Sequence, residues 1–233
     1  MKKILIVAFI CCLFSCSEDR VQTARSEKNG FVIQKLTQNG IDSNRFDMFL
    51  RAFKNERKLE LWAKNKSDSI FKKIMDYDFC TFSGDLGPKR KSGDKQIPEG
   101  IYFIQVFNPK SDYYLSLGIN YPNAADSILG FKENLGNDIY IHGNCVSVGC
   151  IAITDDKIKE LYTFADIARA SGQSKIRVEI YPFKFSENDN ATYKQYPQFQ
   201  KLWDELKVFY YAFETSHKMA FFTVDTEGVY HIQ

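Results

Sequence analysis

The sequence predicts an α+β domain in which strands fill the middle of the chain and helices come later. Three observations support this fold class. Apolar and polar residues alternate at 59–64 and 75–79, as they do in half-buried strands. The run at 101–106 is rich in the β-branched and aromatic residues that favour strands. Stretches at about 154–170 and 196–216 have the apolar spacing of amphipathic helices.

The composition is that of a folded and nearly neutral protein. Of its 233 residues, 44% are apolar and 15% are aromatic, which is sufficient for a core and excludes a disordered or collagen-like chain. The 31 Lys and Arg residues nearly balance the 29 Asp and Glu residues, and no basic tract is present. We therefore expect no nucleic-acid partner. The oligomeric state cannot be predicted from these features.

The first residues have the pattern of an export signal. Met1-Lys2-Lys3 precedes an apolar run at 4–14, which is shorter than the roughly twenty residues that a membrane span needs. The residues Leu13 and Ser15 before Cys16 are similar to the lipobox of bacterial lipoproteins, whose cysteine receives a lipid. We expect 1–15 to be a lipoprotein signal peptide and the protein to be membrane-anchored through a lipidated Cys16, in the periplasm or cell envelope. A plain signal peptide is the alternative.

The segment after the leader is predicted to be a tether. Residues 17–30 are polar and lack any period, so we assign 16–44 to a tether and N-terminal segment. Strand-like runs then follow at 46–53, 59–64 and 70–79. A helix is an alternative for 46–63, because the apolar residues of that stretch fit both the strand period and the helix period.

The elements of the main domain can be assigned from turn and cap signals. A loop rich in Gly and Pro is predicted at 83–100, and Thr154 is expected to cap the helix that ends near Ala170. Further strands are expected at 101–106, 113–119, 138–142 and 175–181, loops at 120–130 and 186–194, and a hairpin at 219–232. The main domain is placed at 45–185, and a C-terminal helix and hairpin extension at 186–233.

The segment 142–150 contains the residues best suited to chemistry. His142 is predicted at a strand end, and Cys150 follows a loop that contains Gly149. A thiol near a histidine can lose its proton, and the thiolate is a nucleophile. Glycine permits unusual backbone angles, so the N–H groups of Gly149 and Cys150 could together bind an oxyanion. Three cysteines lie beyond Cys16, and this odd number predicts at least one free thiol in an exported protein.

Two other interpretations of these residues remain open. His142, Cys145 and Cys150 could bind zinc, although a structural site needs a fourth ligand. Cys145 and Cys150 could instead form a disulfide, either inert or redox-active. Cys80 lies within a strand pattern and is expected to be a buried apolar thiol.

The pair His142-Gly143 followed by Ser147-Val148-Gly149-Cys150 resembles the HG…SxGC signature of the YkuD-type L,D-transpeptidase catalytic domain. Asn144-Cys145 and the long C-terminal helix are similar to the YafK-like branch of that family. Ala152 stands where many members have Arg, and Ile97 where Thr is common. The upstream part of the resemblance comprises Ser83-Gly84, Gly87-Pro88-Lys89, Gly93-Asp94, Ile97-Pro98-Glu99-Gly100-Ile101-Tyr102, Tyr121-Pro122-Asn123 and Asp126.

The resemblance implies a β-rich YkuD-like domain of packed mixed sheets at 45–185, acting on peptidoglycan stem peptides through a thioester without cofactor or metal. It implies that Cys150 is the nucleophile and His142 its proton acceptor, with the Gly143 carbonyl holding the imidazole. Ser147 would either support this geometry or only close its own turn. The alternatives are a hydrolase of the same bonds, a thiol-redox protein and a non-catalytic wall-binding lipoprotein.

Overall fold

The computed structural model describes residues 19–186 and 190–233. The predicted leader at 1–15 and Cys16 lie outside these ranges. The strands are β1 (Phe46–Phe53), β2 (Lys58–Asn65), β3 (Lys72–Asp78), β4 (Gly100–Ser111), β5 (Tyr114–Ile119), β6 (Tyr140–His142), β7 (Ile151–Ala152), β8 (Ile176–Tyr181), β9 (Phe222–Val224) and β10 (Tyr230–Ile232). The helices are α1 (Arg20–Gln38), α2 (Ala124–Leu129), α3 (Asp155–Ala170), α4 (Asn190–Gln195) and α5 (Gln200–Ser216).

Eight of these strands form one mixed sheet in the order β3-β2-β1-β8-β4-β5-β6-β7, and β9 and β10 form a separate hairpin. The pairs β1–β8 and β6–β7 are parallel, and the other neighbours in the sheet are antiparallel. The predicted α+β class is confirmed. Residues 46–63 contain two strands, so the helical alternative for that stretch is wrong.

Both faces of the sheet are covered. In β1, Met48 and Leu50 pack in the core that contains residues of α1 and α3. Because side chains alternate across a strand, Phe49 and Phe53 point to the opposite face. There they pack with residues of α5 such as Phe213. This central strand is buried on both sides, and the active-site strands β6 and β7 lie at one edge of the sheet.

Residues 20–30 are helical, and the predicted tether is therefore wrong for this part of 16–44. They form the first half of α1, which Asp19 caps with its side chain. Only Ala24, Val32 and Leu36 are fully buried along the helix, so the apolar period is weak. Ion pairs also hold the helix on α3, and one of them joins Arg25 to Asp166. Long-range pairs of this kind leave no periodic signal in the sequence.

Two short helices lie in stretches that the sequence assigned to loops. Within 120–130, α2 begins with a capping box in which Asn123 and Asp126 bind each other's backbone N–H groups. The helix α4 occupies much of the predicted loop near 186–194. At six residues each, both helices are too short for an apolar period to be visible.

A buried ion pair joins the centre of the sheet to the loop at 83–100. Lys54, just after β1, has its Nζ 3.0 Å from Glu99 Oε1 and donates to the carbonyl oxygens of Gly87 and Ile97. Both charged side chains are fully buried. The other carboxylate oxygen of Glu99 accepts the indole N–H of Trp203 on α5 at 2.8 Å. All three ammonium hydrogens have acceptors. The pair of Lys54 and Glu99 therefore joins the end of β1, the loop at 83–100 and α5.

Replacing the buried lysine should strongly destabilise the fold. Lys54→Met leaves the Glu99 carboxylate buried without its cation, which typically costs about 3–5 kcal/mol of unfolding free energy. Lys58→Met is the matched control, because Lys58 pairs with the exposed Asp78 and such pairs contribute about 0–1 kcal/mol. Urea unfolding of both variants measures the difference. Equal losses in the two variants would contradict a special role for the buried pair.

Candidate active site

The last two strands of the sheet position the residues that the sequence singled out. β6 ends at His142, and Cys150 immediately precedes β7. The two strands are parallel, with His142 opposite Ala152. Because side chains alternate along a strand, Cys150 projects to the same face as Ala152 and His142. His142 and Cys150 line one pocket of about 210 Å³.

His142 is held in one tautomer and is shielded from water. Its Nδ1 lies 2.5 Å from the carbonyl oxygen of Gly143. A carbonyl only accepts, so Nδ1 carries the hydrogen and Nε2 keeps its lone pair. The ring of Tyr113 stacks on the imidazole with centroids 4.6 Å apart. Burial lowers the pKa of His142 below its ordinary value of 6.5, against the opposing effect of the bond to Gly143.

Cys150 is the free cysteine among the described residues. Its thiol donates to the carbonyl oxygen of Asp138 at 3.6 Å, and its sulfur accepts the N–H of Tyr140 at 3.4 Å. Burial raises the pKa of Cys150 above its ordinary value of 9.0; the Tyr140 N–H opposes this, and the Asp138 carboxylate adds to it. Burial therefore favours a protonated thiol and a neutral imidazole in the resting site.

Two serines hold the loop that leads to Cys150. Ser147 Oγ donates to the Cys150 carbonyl oxygen at 2.7 Å and accepts the Cys150 N–H at 3.1 Å. Ser83 Oγ accepts the Gly149 N–H at 2.7 Å. In this structure both N–H groups that were expected to bind an oxyanion donate to hydroxyls, so their role as oxyanion donors stays a prediction. The contacts of Ser147 close its own turn, which was one of its two predicted roles.

Gly143 and Gly149 of the motif lie where a Cβ atom would clash with neighbouring atoms. Gly149 has φ +101°, and a Cβ there would lie 2.9 Å from the carbonyl oxygen of Gln96. Gly143 has no such backbone angle, but its Cβ would lie 2.5 Å from Asp155 Oδ1 and 2.8 Å from the Tyr113 carbonyl oxygen. A side chain at either position would push the surrounding loops away from the pocket.

A disulfide joins Cys80 to Cys145, whose Cα atoms are 5.5 Å apart. The expectation of a buried Cys80 thiol is wrong, and so is the alternative bridge between Cys145 and Cys150. Cys80 also donates its N–H to the carbonyl oxygen of Ala152 in β7. The loop before Cys150 is thereby tied to the end of the sheet. Because Cys145 is bonded to Cys80, it cannot complete the zinc ligand set considered with His142.

Neither a metal-binding cluster nor a membrane-spanning helix occurs among residues 19–186 and 190–233. No three His, Cys, Asp or Glu side chains in these ranges are placed to hold a metal ion. No helix there combines the length and apolar character needed to cross a bilayer.

The acidic residues of the upstream motif hold the loops around the pocket. Asp94 accepts Lys89 Nζ at 2.7 Å, and Lys89 is buried, so its charge is not part of an open basic surface. Asp126 accepts the hydroxyl of Tyr102 at 2.9 Å and pairs with Arg90. Burial raises the pKa of Asp126 to about 6, although its hydrogen bonds and Arg90 oppose this. These motif residues serve the fold of the site.

Several residues of the pocket wall were not identified from the sequence. Pairing of β5 with β6 places Ser116 opposite His142, and Asp138 reaches the site from the segment before β6. Tyr113 lies against His142, whereas Tyr102 is in the core. Such contacts depend on strand pairing and have no local sequence signal. The pocket is lined by Asn108, Ser111, Asp112, Tyr113, Ser116, Asp138, Tyr140, His142 and Cys150.

The sequence of this chain matches a known protein family. The YkuD family, described as the L,D-transpeptidase catalytic domain, matches residues 48–180. The chain belongs to this family. Within the YkuD family it is 37% identical over 173 residues to the Escherichia coli (strain K12) protein named "Putative L,D-transpeptidase YafK", an alignment that covers 73% of this chain and 68% of that protein. The predicted family and its YafK-like branch are thus confirmed.

Solved structures with similar folds are more distant. The helical cell shape determining protein Pgp2 from Campylobacter jejuni has 16% identity and a TM-score of 0.47, with 82% of this chain and 80% of that one covered. Bd1075 from Bdellovibrio bacteriovorus has 24% identity and a TM-score of 0.41, with coverage of 69% and 57%. The YkuD assignment rests on the sequence matches.

Alkylation should report the resting state of the thiol. In the unreduced protein, iodoacetamide should label Cys150 at a rate that rises with pH through a midpoint above 9.0, because burial raises the thiol pKa and the thiolate is the reactive form. Mass-spectrometric peptide mapping after timed labelling measures this, and the Cys80 and Cys145 peptides serve as unlabelled internal controls. A plateau that extends into acid would instead reveal a preformed thiolate.

Proposed function

We propose that the protein is a cysteine-dependent L,D-transpeptidase that acts on peptidoglycan stem peptides through a thioester acyl-enzyme. The observation that carries the proposal is the shared pocket that the free Cys150 thiol and the His142 imidazole both line. The membership of the chain in the L,D-transpeptidase family supports the substrate class. A wall-binding protein would require neither this base nor this free thiol. A redox protein would require a partner thiol for Cys150, but Cys145 is bonded to Cys80.

In the first step, Cys150 Sγ attacks the carbonyl carbon of a stem-peptide bond as its proton passes to His142 Nε2. The thiol is protonated at rest, so proton transfer and attack are coupled, with His142 as general base. The carbon–nitrogen bond then breaks, and the leaving amine takes the proton from the imidazolium. The product is a thioester on Cys150 and a neutral imidazole.

In the second step, an acceptor amine attacks the thioester carbonyl and loses its proton to His142. Cys150 leaves as a thiolate and recovers the proton from the imidazolium, so the site returns to its resting state. Water in place of the amine would release a trimmed stem by the same route. Which nucleophile reacts depends on how well the acceptor side orients an amine against bulk water.

We also propose that Cys16 is lipidated and tethers the protein in the cell envelope. The sequence around Cys16 supports this proposal. Several acyl chains at about 0.8 kcal/mol per buried CH₂ would provide a stable attachment.

A carbapenem should acylate the protein at Cys150. Intact mass measurement of the reduced full chain should show one adduct that Cys150→Ala lacks, and His142→Gln should form it at least about tenfold more slowly because the general base is gone. His231→Gln is the matched control, since His231 lies in the hairpin and pairs with Asp225. Absence of any adduct on the unsubstituted chain would overturn the proposal.

The product on isolated sacculi then identifies the reaction. New cross-links in the muropeptide profile support transpeptidation, and trimmed stems support the hydrolase. A profile identical to that of Cys150→Ala would contradict both.

Fractionation should test the anchor. Cys16→Ala should move the protein from the membrane fraction to the soluble fraction, because no acyl chain can then be attached. Cys12→Ala is the matched control, a cysteine of the leader itself, and should leave the protein in the membrane fraction. A Cys16→Ala protein that still sediments with membranes would disprove lipid anchoring at this residue.

A further inference from the structure

We propose that Arg20, the first residue of α1, is a positioning residue for His142. It would act by fixing the turn between β4 and β5 that stacks Tyr113 on the imidazole. The proposal rests on the proposed function only insofar as His142 is the base. Arg20 lies outside the residues 48–180 that match the family, so this contribution comes from a helix beyond the family domain.

The contacts of Arg20 concentrate on that turn. One guanidinium nitrogen donates to the carbonyl oxygen of Ser111 at 2.6 Å and to that of Tyr114 at 2.7 Å. The guanidinium carbon also lies 5.4 Å from the centre of the Tyr114 ring. Ser111 ends β4 and Tyr114 begins β5, so a single side chain closes the turn from both strands. Charge-assisted bonds of this kind are stronger than those between neutral groups.

The turn needs such support because its backbone is unusual. Tyr114 has φ +70°, in the left-handed region that non-glycine residues rarely adopt. The pairing of β4 with β5 shifts register between Asn108 and Ser111, so the closing pair of Ser111 with Tyr114 is out of register with the rest of the ladder. Within it, the Tyr113 N–H donates to Ser111 Oγ at 3.1 Å. A strained turn persists when its surroundings over-determine it, and Arg20 supplies much of that constraint.

The turn meets the base on two sides. The Tyr113 ring covers one face of the His142 imidazole, with an angle of 30° between the planes. The Tyr113 carbonyl oxygen packs against Gly143, at the position where a Cβ would leave only 2.8 Å. Gly143 in turn accepts the imidazole N–H. Movement of this turn would therefore change both the orientation of the base and its exposure to water.

Burial and the bond to Gly143 set the titration of His142, and no neighbouring charge is among the causes of its shift. Exposure of the imidazole should therefore raise its pKa toward 6.5. The titratable and charged groups that surround the pocket or contact Gly143 are Asp112 and Tyr113 on the turn, Asp138, Tyr140 and Cys150 on the wall, Asp155 at the start of α3, and Arg20 behind the turn.

The test combines a proton NMR titration of His142 in the full chain with its rate of acylation by a carbapenem. The resonance is assigned by its loss in His142→Gln. Arg20→Ala and Tyr113→Ala should each raise the midpoint toward 6.5 and slow acylation on the order of tenfold, since misplacement of a reacting group by about 1 Å can cost a hundredfold. Tyr113→Phe keeps the stacked ring and should behave as the unsubstituted chain.

Arg25→Ala is the matched control, because Arg25 joins the same helix to Asp166 and does not contact the turn. It should leave the midpoint and the rate unchanged. The proposal is wrong if Arg20→Ala leaves both values unchanged, or if Arg25→Ala shifts them equally. If circular dichroism shows that Arg20→Ala does not fold, Arg20→Lys replaces it. This variant should shift the His142 midpoint in the same direction by a smaller amount, and an unshifted midpoint would also contradict the proposal.

The two readouts separate this proposal from the proposed function. The titration needs no turnover. A shifted midpoint in a chain that is never acylated would refute the transpeptidase proposal and retain the role of Arg20. Normal acylation with an unshifted His142 midpoint in Arg20→Ala and Tyr113→Ala would refute the role of Arg20 and retain the transpeptidase proposal.

Discussion

The ammonium group of Lys54 is the constraint on which the arrangement around the pocket depends. It lies in the protein interior with the Glu99 carboxylate and two carbonyl oxygens, and Glu99 also binds Trp203 of α5. A charge at this depth tolerates only a small set of geometries, because each lost acceptor leaves one of its N–H groups buried without a partner. The loop at 83–100 is therefore fixed against the sheet, and its Ser83 holds the turn that delivers Cys150.

The protonation states of His142 and Cys150 determine when charge forms in the pocket. Burial opposes charge on both His142 and Cys150, so the resting pair is neutral. A neutral pair avoids the desolvation cost of a thiolate and an imidazolium while no substrate is present. The charges would then form only as the sulfur attacks. The hydrogen bond from His142 to Gly143 keeps the accepting nitrogen available throughout.

Local patterns in the sequence predicted the elements that depend on local physics. The alternation in 59–64, the Thr154 cap and the hairpin turn near 225–228 are present as expected, because periodicity and capping act over a few residues. The motif also indicated that His142 and Cys150 share a site; both line one pocket, and their catalytic roles stay predictions. Helix α1, the Cys80–Cys145 disulfide and the stacking of Tyr113 were missed. Each depends on partners far apart in sequence, where ion pairs, chain closure and strand register decide the contact.

The disulfide between Cys80 and Cys145 would also protect the Cys150 thiol in the cell envelope, the location proposed for this protein. An oxidising environment drives neighbouring thiols to join, and a reactive sulfur five positions from another cysteine would be exposed to that fate. With Cys145 already committed to Cys80, no second thiol from the described chain remains to trap Cys150. In the proposed mechanism, the covalent link would thus act as a chemical safeguard that keeps the Cys150 sulfur reduced, because the cysteine five positions before it is already bonded.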